Sequence, residues 1–283
     1  MIHGLTHRAI VVWLLAALAT SVTAKAAPAA SGPLRLVTGP HYAPYAADYL
    51  PHNGLGPFLV TRILEDSNRT VTVDMRPWRR AYRETLKGRY DAALPYIETP
   101  SRQQDYLFSV PIFRTDTFAY VRADSELDAR SLEGLKGLTY CNPVGFTDED
   151  ALKTMRGKGQ ITRVKPANLR SCFRMLTAGR VDFVKINHHV AEHIVSESEL
   201  SAEAVRPLPF VVEEVSLHFM VPKTRPGAAE LIDEFNRRFR AMKQEGRIEA
   251  LKRAYMEALR AGGDTPGDGP HRIGPSAAEA IGR

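Results

Sequence analysis

Arg102 lies in the segment Thr99-Pro100-Ser101-Arg102-Gln103-Gln104. A guanidinium offers a planar fork of donors that matches the two oxygens of a carboxylate. From residue type alone, a solvated arginine in a polar loop is the plainer reading, so its surroundings must decide. Trp78 follows Pro77 at a helix start, where a side chain can face a cleft; Ala81 and Tyr82 continue at a spacing that also suits a core stripe. Thr147 precedes a helical stretch beginning at Asp148. Its hydroxyl either caps that helix or joins the N–H groups there in meeting an anion. His189 and His193 stand one helical turn apart, with His188 beside them, a spacing that could hold a metal. No third donor accompanies them, so they read as surface histidines, and no metal or cofactor is expected. Cys141 and Cys172 belong to no nucleophile–base signature and are too few for a four-cysteine zinc site.

These residues need a scaffold, and the chain is long enough to supply one. At about 150 residues per domain, its 283 residues suggest two globular units. Hydrophobic residues make up 44% and charged residues 25%, which excludes a mainly disordered, collagen-like or multi-span membrane chain. The formal charge is +6. The pairs Arg79-Arg80, Arg237-Arg238 and Lys252-Arg253 read as solvated helix faces. Without a basic stripe interleaved with aromatics, nucleic acid is not an expected partner.

Both ends read as lying outside the fold. An apolar run of about eleven residues from Ala9 to Ala19, preceded by His7-Arg8, is too short to span a bilayer and suits an export signal. Small residues place cleavage after Ala24 or Ala26, giving a soluble exported product in an oxidising compartment. From Ala261 to Arg283 there are six Gly and three Pro without apolar periodicity, which reads as a flexible tail.

Between the ends, strand and helix patterns alternate. Leu34–Val37, Val71–Met75 and Ala92–Leu94 read as strands, and Phe58–Leu64 and Trp78–Leu86 as helices. The pattern restarts with strands at Leu138–Cys141 and Val181–Ile186 and helices at Asp148–Met155 and Leu169–Ala178. A β-rich stretch at Val215–Val221 precedes helical stretches over Glu230–Leu259, broken at Gly246. Such alternation implies βαβ units and a largely parallel sheet. Leu86-Lys87-Gly88-Arg89-Tyr90-Asp91 and Leu176-Thr177-Ala178-Gly179-Arg180-Val181-Asp182 share one device, a helix end closed by Gly followed by a strand. The echo points to two similar α/β lobes.

Several segments together resemble the periplasmic solute-binding proteins of amino-acid and polar-solute ABC transporters (bacterial extracellular solute-binding protein family 3). They are Gly39-Pro40-His41-Tyr42-Ala43-Pro44-Tyr45, Pro77-Trp78-Arg79-Arg80-Ala81-Tyr82, Gly88-Arg89-Tyr90-Asp91-Ala92-Ala93, Thr99–Gln104 with Phe108-Ser109, Leu176–Asp182, and Phe235 to Tyr255. The resemblance covers roughly residues 34–256. It implies an α/β, two-lobe type II periplasmic-binding-protein-like fold, each lobe a mixed sheet flanked by helices and joined by two hinge strands. Lobe 1 would be residues 27–115 plus 215–260, and lobe 2 residues 116–214, with hinges near Arg114–Tyr120 and Val212–Leu217. It implies a monomeric receptor, not an enzyme, that closes on a small carboxylate-bearing solute and serves an inner-membrane ABC permease or a sensor. Alternatives are a cyclohexadienyl-dehydratase-like enzyme on the same scaffold, and a partner-binding module with a degenerate cleft.

The resemblance also implies roles. Arg102 matches the arginine that clamps the ligand carboxylate, and Tyr42 and Trp78 match positions flanking the ligand, with Tyr45 and Tyr96 as lesser candidates. Thr147 aligns with a Gly-Thr-Thr loop, here Gly145-Phe146-Thr147. Two positions depart from the pattern. Asn187 stands where amino-acid binders carry an aspartate for the ligand ammonium, and Pro95-Tyr96-Ile97-Glu98 replaces small hydroxylated residues. Glu98 either supplies the missing negative charge or is an exposed loop residue. Cys141 and Cys172 both fall in lobe 2, and in an exported protein they are expected to form a disulfide.

Overall fold

The computed structural model describes residues 32–67, 69–148, 150–196 and 201–261. The expected export signal and nearly all of the expected tail lie outside these residues. In chain order the elements are β1 (Leu34–Thr38), α1 (Leu55–Glu65), β2 (Val71–Met75), α2 (Trp78–Leu86), β3 (Ala92–Ile97), α3 (Pro100–Gln103), β4 (Tyr106–Phe108), β5 (Phe113–Arg122), β6 (Thr139–Cys141), α4 (Asp150–Gly157), β7 (Thr162–Val164), α5 (Leu169–Thr177), β8 (Phe183–Asn187), α6 (His188–Ser196), β9 (Val205–Pro207), β10 (Glu213–Pro222), α7 (Ala228–Gln244) and α8 (Arg247–Ala261). The alternating strands and helices stand where the apolar patterns place them.

One mixed sheet runs through the molecule in the order β2-β1-β3-β10-β5-β8-β6-β7, with β4 added to β10 and β9 to β5. It is made of two parallel triplets. In the first half β1 pairs in parallel with β2 and β3, and in the second β6 pairs in parallel with β7 and β8. The long strands β5 and β10 join them. They pair antiparallel with each other from Phe113↔Leu217 to Thr117↔Glu213, after which β5 continues along β8 and β10 along β3. Each long strand therefore belongs to both halves.

The repeated Gly device proves to be one backbone structure used twice. After α2, Gly88 adopts φ 74° and donates to Thr85 O, while Arg89 N–H reaches Glu84 O. After α5, Gly179 adopts φ 67° and donates to Leu176 O, while Arg180 N–H reaches Met175 O. These paired bonds form a Schellman cap, which needs a left-handed residue and so favours glycine. The following aspartates also match. Asp91 accepts the Arg35 N–H of β1 at 2.9 Å, and Asp182 accepts the Thr139 N–H of β6 at 2.7 Å. Each corner thus pins helix end, strand start and neighbouring strand together.

Packing follows the apolar spacing. On α7 the buried residues Ala228, Leu231, Ile232, Phe235, Phe239 and Met242 form one stripe, with Phe235 stacked on Phe219 of β10 at 4.8 Å. In the second half Cys141 at the end of β6 is disulfide-bonded to Cys172 of α5, as expected. The closed loop of 31 residues' separation is worth about 3–4 kcal/mol in the chain-entropy view.

Candidate functional site

The strand ends and loops of both halves line a solvent-open cavity of about 50 Å³. From the first half it is lined by Tyr42, Trp78, Pro95, Tyr96, Ile97 and Arg102, together with Leu217 of β10. The second half contributes Thr117, Gly145, Phe146, Thr147, Lys185 and Ile186. Four of the six residues singled out in the sequence, Arg102, Tyr42, Trp78 and Thr147, thus meet at one place. Glu98 and Asn187 stand outside the lining.

Trp78 opens α2 directly after Pro77. Its indole Nε1 donates to Pro40 O at 2.9 Å, which ties the helix start to the loop after β1. Gly39 permits that approach, since a Cβ there would sit 2.1 Å from the indole ring. Tyr42, from the same loop, meets Trp78 edge-on with ring centres 6.0 Å apart. Phe146 reaches across from the second half to both rings, at 5.6 Å from Tyr42 and 6.1 Å from Trp78. Phe146 sits beside Gly145, whose φ of 89° and 3.0 Å approach to Trp78 Cβ favour glycine there. Both halves therefore contribute to one aromatic wall.

Arg102 is carried by the short helix α3, where Thr99 caps the helix by accepting the Arg102 N–H. Its guanidinium lies over the Tyr96 ring at 5.0 Å, and one of its nitrogens donates to Ile97 O at 2.7 Å. Tyr96 in turn donates to Trp78 O at 2.8 Å, and burial pushes its phenol well above the usual range, so the ring stays neutral. The planar cation is thus held on a neutral aromatic face, which favours a fixed pose. Pro95 opens the wall beside it. A proline cannot donate to a sheet ladder, and the β3–β10 pairing shifts register between His218 and Met220, opposite this point.

Thr147 lies in the loop between β6 and α4, which Arg163 of β7 holds from below. The buried Arg163 donates to the carbonyls of Asn142, Pro143 and Phe146 and to the Asp148 carboxylate at 2.8 Å. Burial works to raise the pKa of Asp148, but the Asn142 hydrogen bond and the Arg163 charge prevail and hold it below the usual value. The Thr147 hydroxyl donates to Asp148 O at 3.2 Å. Arg163 gave no sequence signal, because its partners come together only when β7 lies alongside β6.

Asn187 is fully buried at the end of β8. Its Oδ1 accepts the Val190 N–H at the start of α6, and its Nδ2 donates to the Tyr42 hydroxyl at 2.9 Å, linking the two halves. A second link runs from Tyr49 to His193, whose rings stack at 5.9 Å. Glu98 accepts from Gln103 at 2.8 Å and lies 3.8 Å from His218, whose pKa burial lowers, keeping it neutral. His188 contacts Tyr120 and Glu192, and among the described residues no group of three or more such side chains could hold a metal. Lys185, 4% exposed in the middle of β8, enters the lining unforeseen. A lone lysine inside an apolar strand was the available signal.

Comparison with solved structures places the architecture. A histidine kinase sensor domain with similarity to periplasmic binding proteins matches with a TM-score of 0.68 at 22% identity, over 83% of this chain and 98% of that one. An ancestral arginine-binding protein bound to arginine matches at 0.65 and 22%, over 77% and 96%. The GluR0 ligand-binding core from Nostoc punctiforme, in complex with L-glutamate, matches at 0.64 and 18%, over 77% and 96%. The fold is that of the type II periplasmic binding proteins. Comparison with curated protein sequences returns no match. Residues 34–258 fit the model of the bacterial extracellular solute-binding proteins, family 3, and the chain belongs to that family.

Proposed function

We propose that this protein is a periplasmic receptor that encloses a small carboxylate-bearing solute between the halves of its sheet and delivers it to an inner-membrane ABC permease. The observation that carries this reading is the guanidinium of Arg102, seated on Tyr96 in a cavity to which both halves contribute. Its fork is suited to a carboxylate, and the aromatic wall to the rest of the solute. Residues 27–115 with 215–260 act as one lobe and 116–214 as the other, bending where β5 and β10 pass between the halves. Amino-acid ligands in the glutamate-bound and arginine-bound structures of similar fold support a solute of that size. No helix among the described residues is long and apolar enough to cross a membrane, which accords with a receptor outside one.

A sensor role is the second reading, favoured by the similar fold of the histidine kinase sensor domain. The same capture step serves both, and only the partner differs. The dehydratase-like alternative is weaker, because Glu98 stands outside the lining and the described lining residues include no acid.

The test is calorimetric titration with a panel of carboxylic and amino acids, for the native chain and for Arg102→Ala. Binding to the native chain should weaken by about 2–5 kcal/mol in the variant, the range for removing one partner of a buried charge pair. A variant that binds as tightly as the native chain would show that the anchor lies elsewhere.

A further inference from the structure

The lining chemistry narrows the solute beyond its carboxylate. We infer that the preferred ligand carries no α-ammonium group and is a 2-oxo or otherwise deaminated organic acid, not the matching amino acid. The inference rests on reading the cavity as a solute site anchored by Arg102.

An ammonium taken out of water needs an opposite charge or a full set of acceptors, since a desolvated cation without them is strongly disfavoured. Among the described lining residues the charged side chains are Arg102 and Lys185, both cationic. Five residues with a carboxylate or amide adjoin lining positions in sequence, Glu98, Gln103, Asp116, Asp148 and Asn187, and none of them is itself part of the lining. Asp148 is paired with Arg163 at 2.8 Å. Glu98, next to Ile97, accepts from Gln103 and stands beside His218. Asn187, next to Ile186, accepts the Val190 N–H on its Oδ1 and donates its Nδ2 to the Tyr42 hydroxyl, which turns its amide toward the start of α6 and Tyr42.

Aromatic faces can also receive a cation, but here they are engaged. The Tyr96 face carries the Arg102 guanidinium. Tyr42, Trp78 and Phe146 pack edge to face on one another at interplanar angles of 73° to 85°. What the aromatic wall offers is apolar contact to an uncharged body beside the Arg102 guanidinium. An acid that is planar and uncharged at its second carbon meets that description.

The experiment compares matched pairs on the full chain at pH 7 by calorimetry: alanine with pyruvate, valine with 3-methyl-2-oxobutanoate, leucine with 4-methyl-2-oxopentanoate, and phenylalanine with phenylpyruvate. The expected result is an oxo acid binding at least about tenfold more tightly than its amino partner, a preference of about 1.4 kcal/mol, and losing that binding in Arg102→Ala. An amino acid that binds as tightly as its oxo partner, or more so, overturns the inference and leaves the receptor reading intact. Oxo-acid binding that survives Arg102→Ala removes the anchor and the inference with it. A natively folded chain that binds no member of either series defeats both.

Discussion

In the half built on β1–β3, the cavity wall is held by rings: Trp78 is hydrogen-bonded to Pro40, Tyr96 is hydrogen-bonded to Trp78, and Arg102 lies on Tyr96. In the half built on β6–β8, the facing loop is held by charge and a covalent link, with Arg163 and Asp148 beneath it and the Cys141–Cys172 bond behind. Yet the two halves turn the same corner, down to the aspartate that accepts a neighbouring strand's N–H. The shared part is backbone geometry, and what differs is how each half fixes the loops that face the cavity. An aromatic wall tolerates small shifts, because rings contact over broad faces. A buried charge network has few good geometries and is costly when half of it is missing.

The contrast can be broken most sharply at Arg163. Replacing it by Met leaves Asp148 buried without its main cation and should cost about 3–5 kcal/mol of stability, read as a lower denaturation midpoint. Asp148 is held below its usual pKa, so its pair contributes above the ordinary carboxylate value, about 3.9, and is lost as pH falls through the depressed native value. The gap between variant and native chain should therefore narrow in acid, and a gap independent of pH would mean that lost packing, not charge, sets the cost. Next in size is the disulfide. Cys141→Ser with Cys172→Ser should lower stability by about 3–4 kcal/mol, and an unchanged unfolding curve would show that the network alone suffices. Smallest is Gly39→Ala in the ring-held half. The new methyl must displace the Trp78 indole, at about 1–3 kcal/mol for overpacking, and the solute affinity should fall with it. Unaltered affinity would mean that the indole is not a binding surface.

Much of the scaffold could be read along the chain, because strand alternation and the Gly88 and Gly179 stops are local signals. Of the four three-residue strands, β6 shows through the apolar run from Leu138, whereas β4, β7 and β9 are too short to show a period. Arg102 reads by type as a loop arginine because α3 is a single turn, started by Thr99 and too short for an apolar stripe. The resemblance of the surrounding segments, not the residue itself, marks it. Arg163 carries no local signal, since its partners come near only when β7 lies along β6, whereas Lys185 stands out as a lysine within an apolar strand although the cavity it lines forms only between the halves. Asn187 departs from the family pattern in the sequence itself, but its bonds to Tyr42 and to the start of α6 are a matter of geometry alone.

The position of β10 has a consequence for how the molecule comes into being. It is the last strand among the described residues and yet lies at the middle of the sheet, between β3 and β5. A nascent polypeptide that stops before Glu213 can form only two separate pieces, β2-β1-β3 and β5-β8-β6-β7, each with a bare edge where β10 belongs. Closing the sheet then requires contacts between residues more than a hundred positions apart, such as Leu217 with Ile97, which makes assembly slow and late. The sheet cannot be completed strand by strand in chain order; its keystone follows every other described strand.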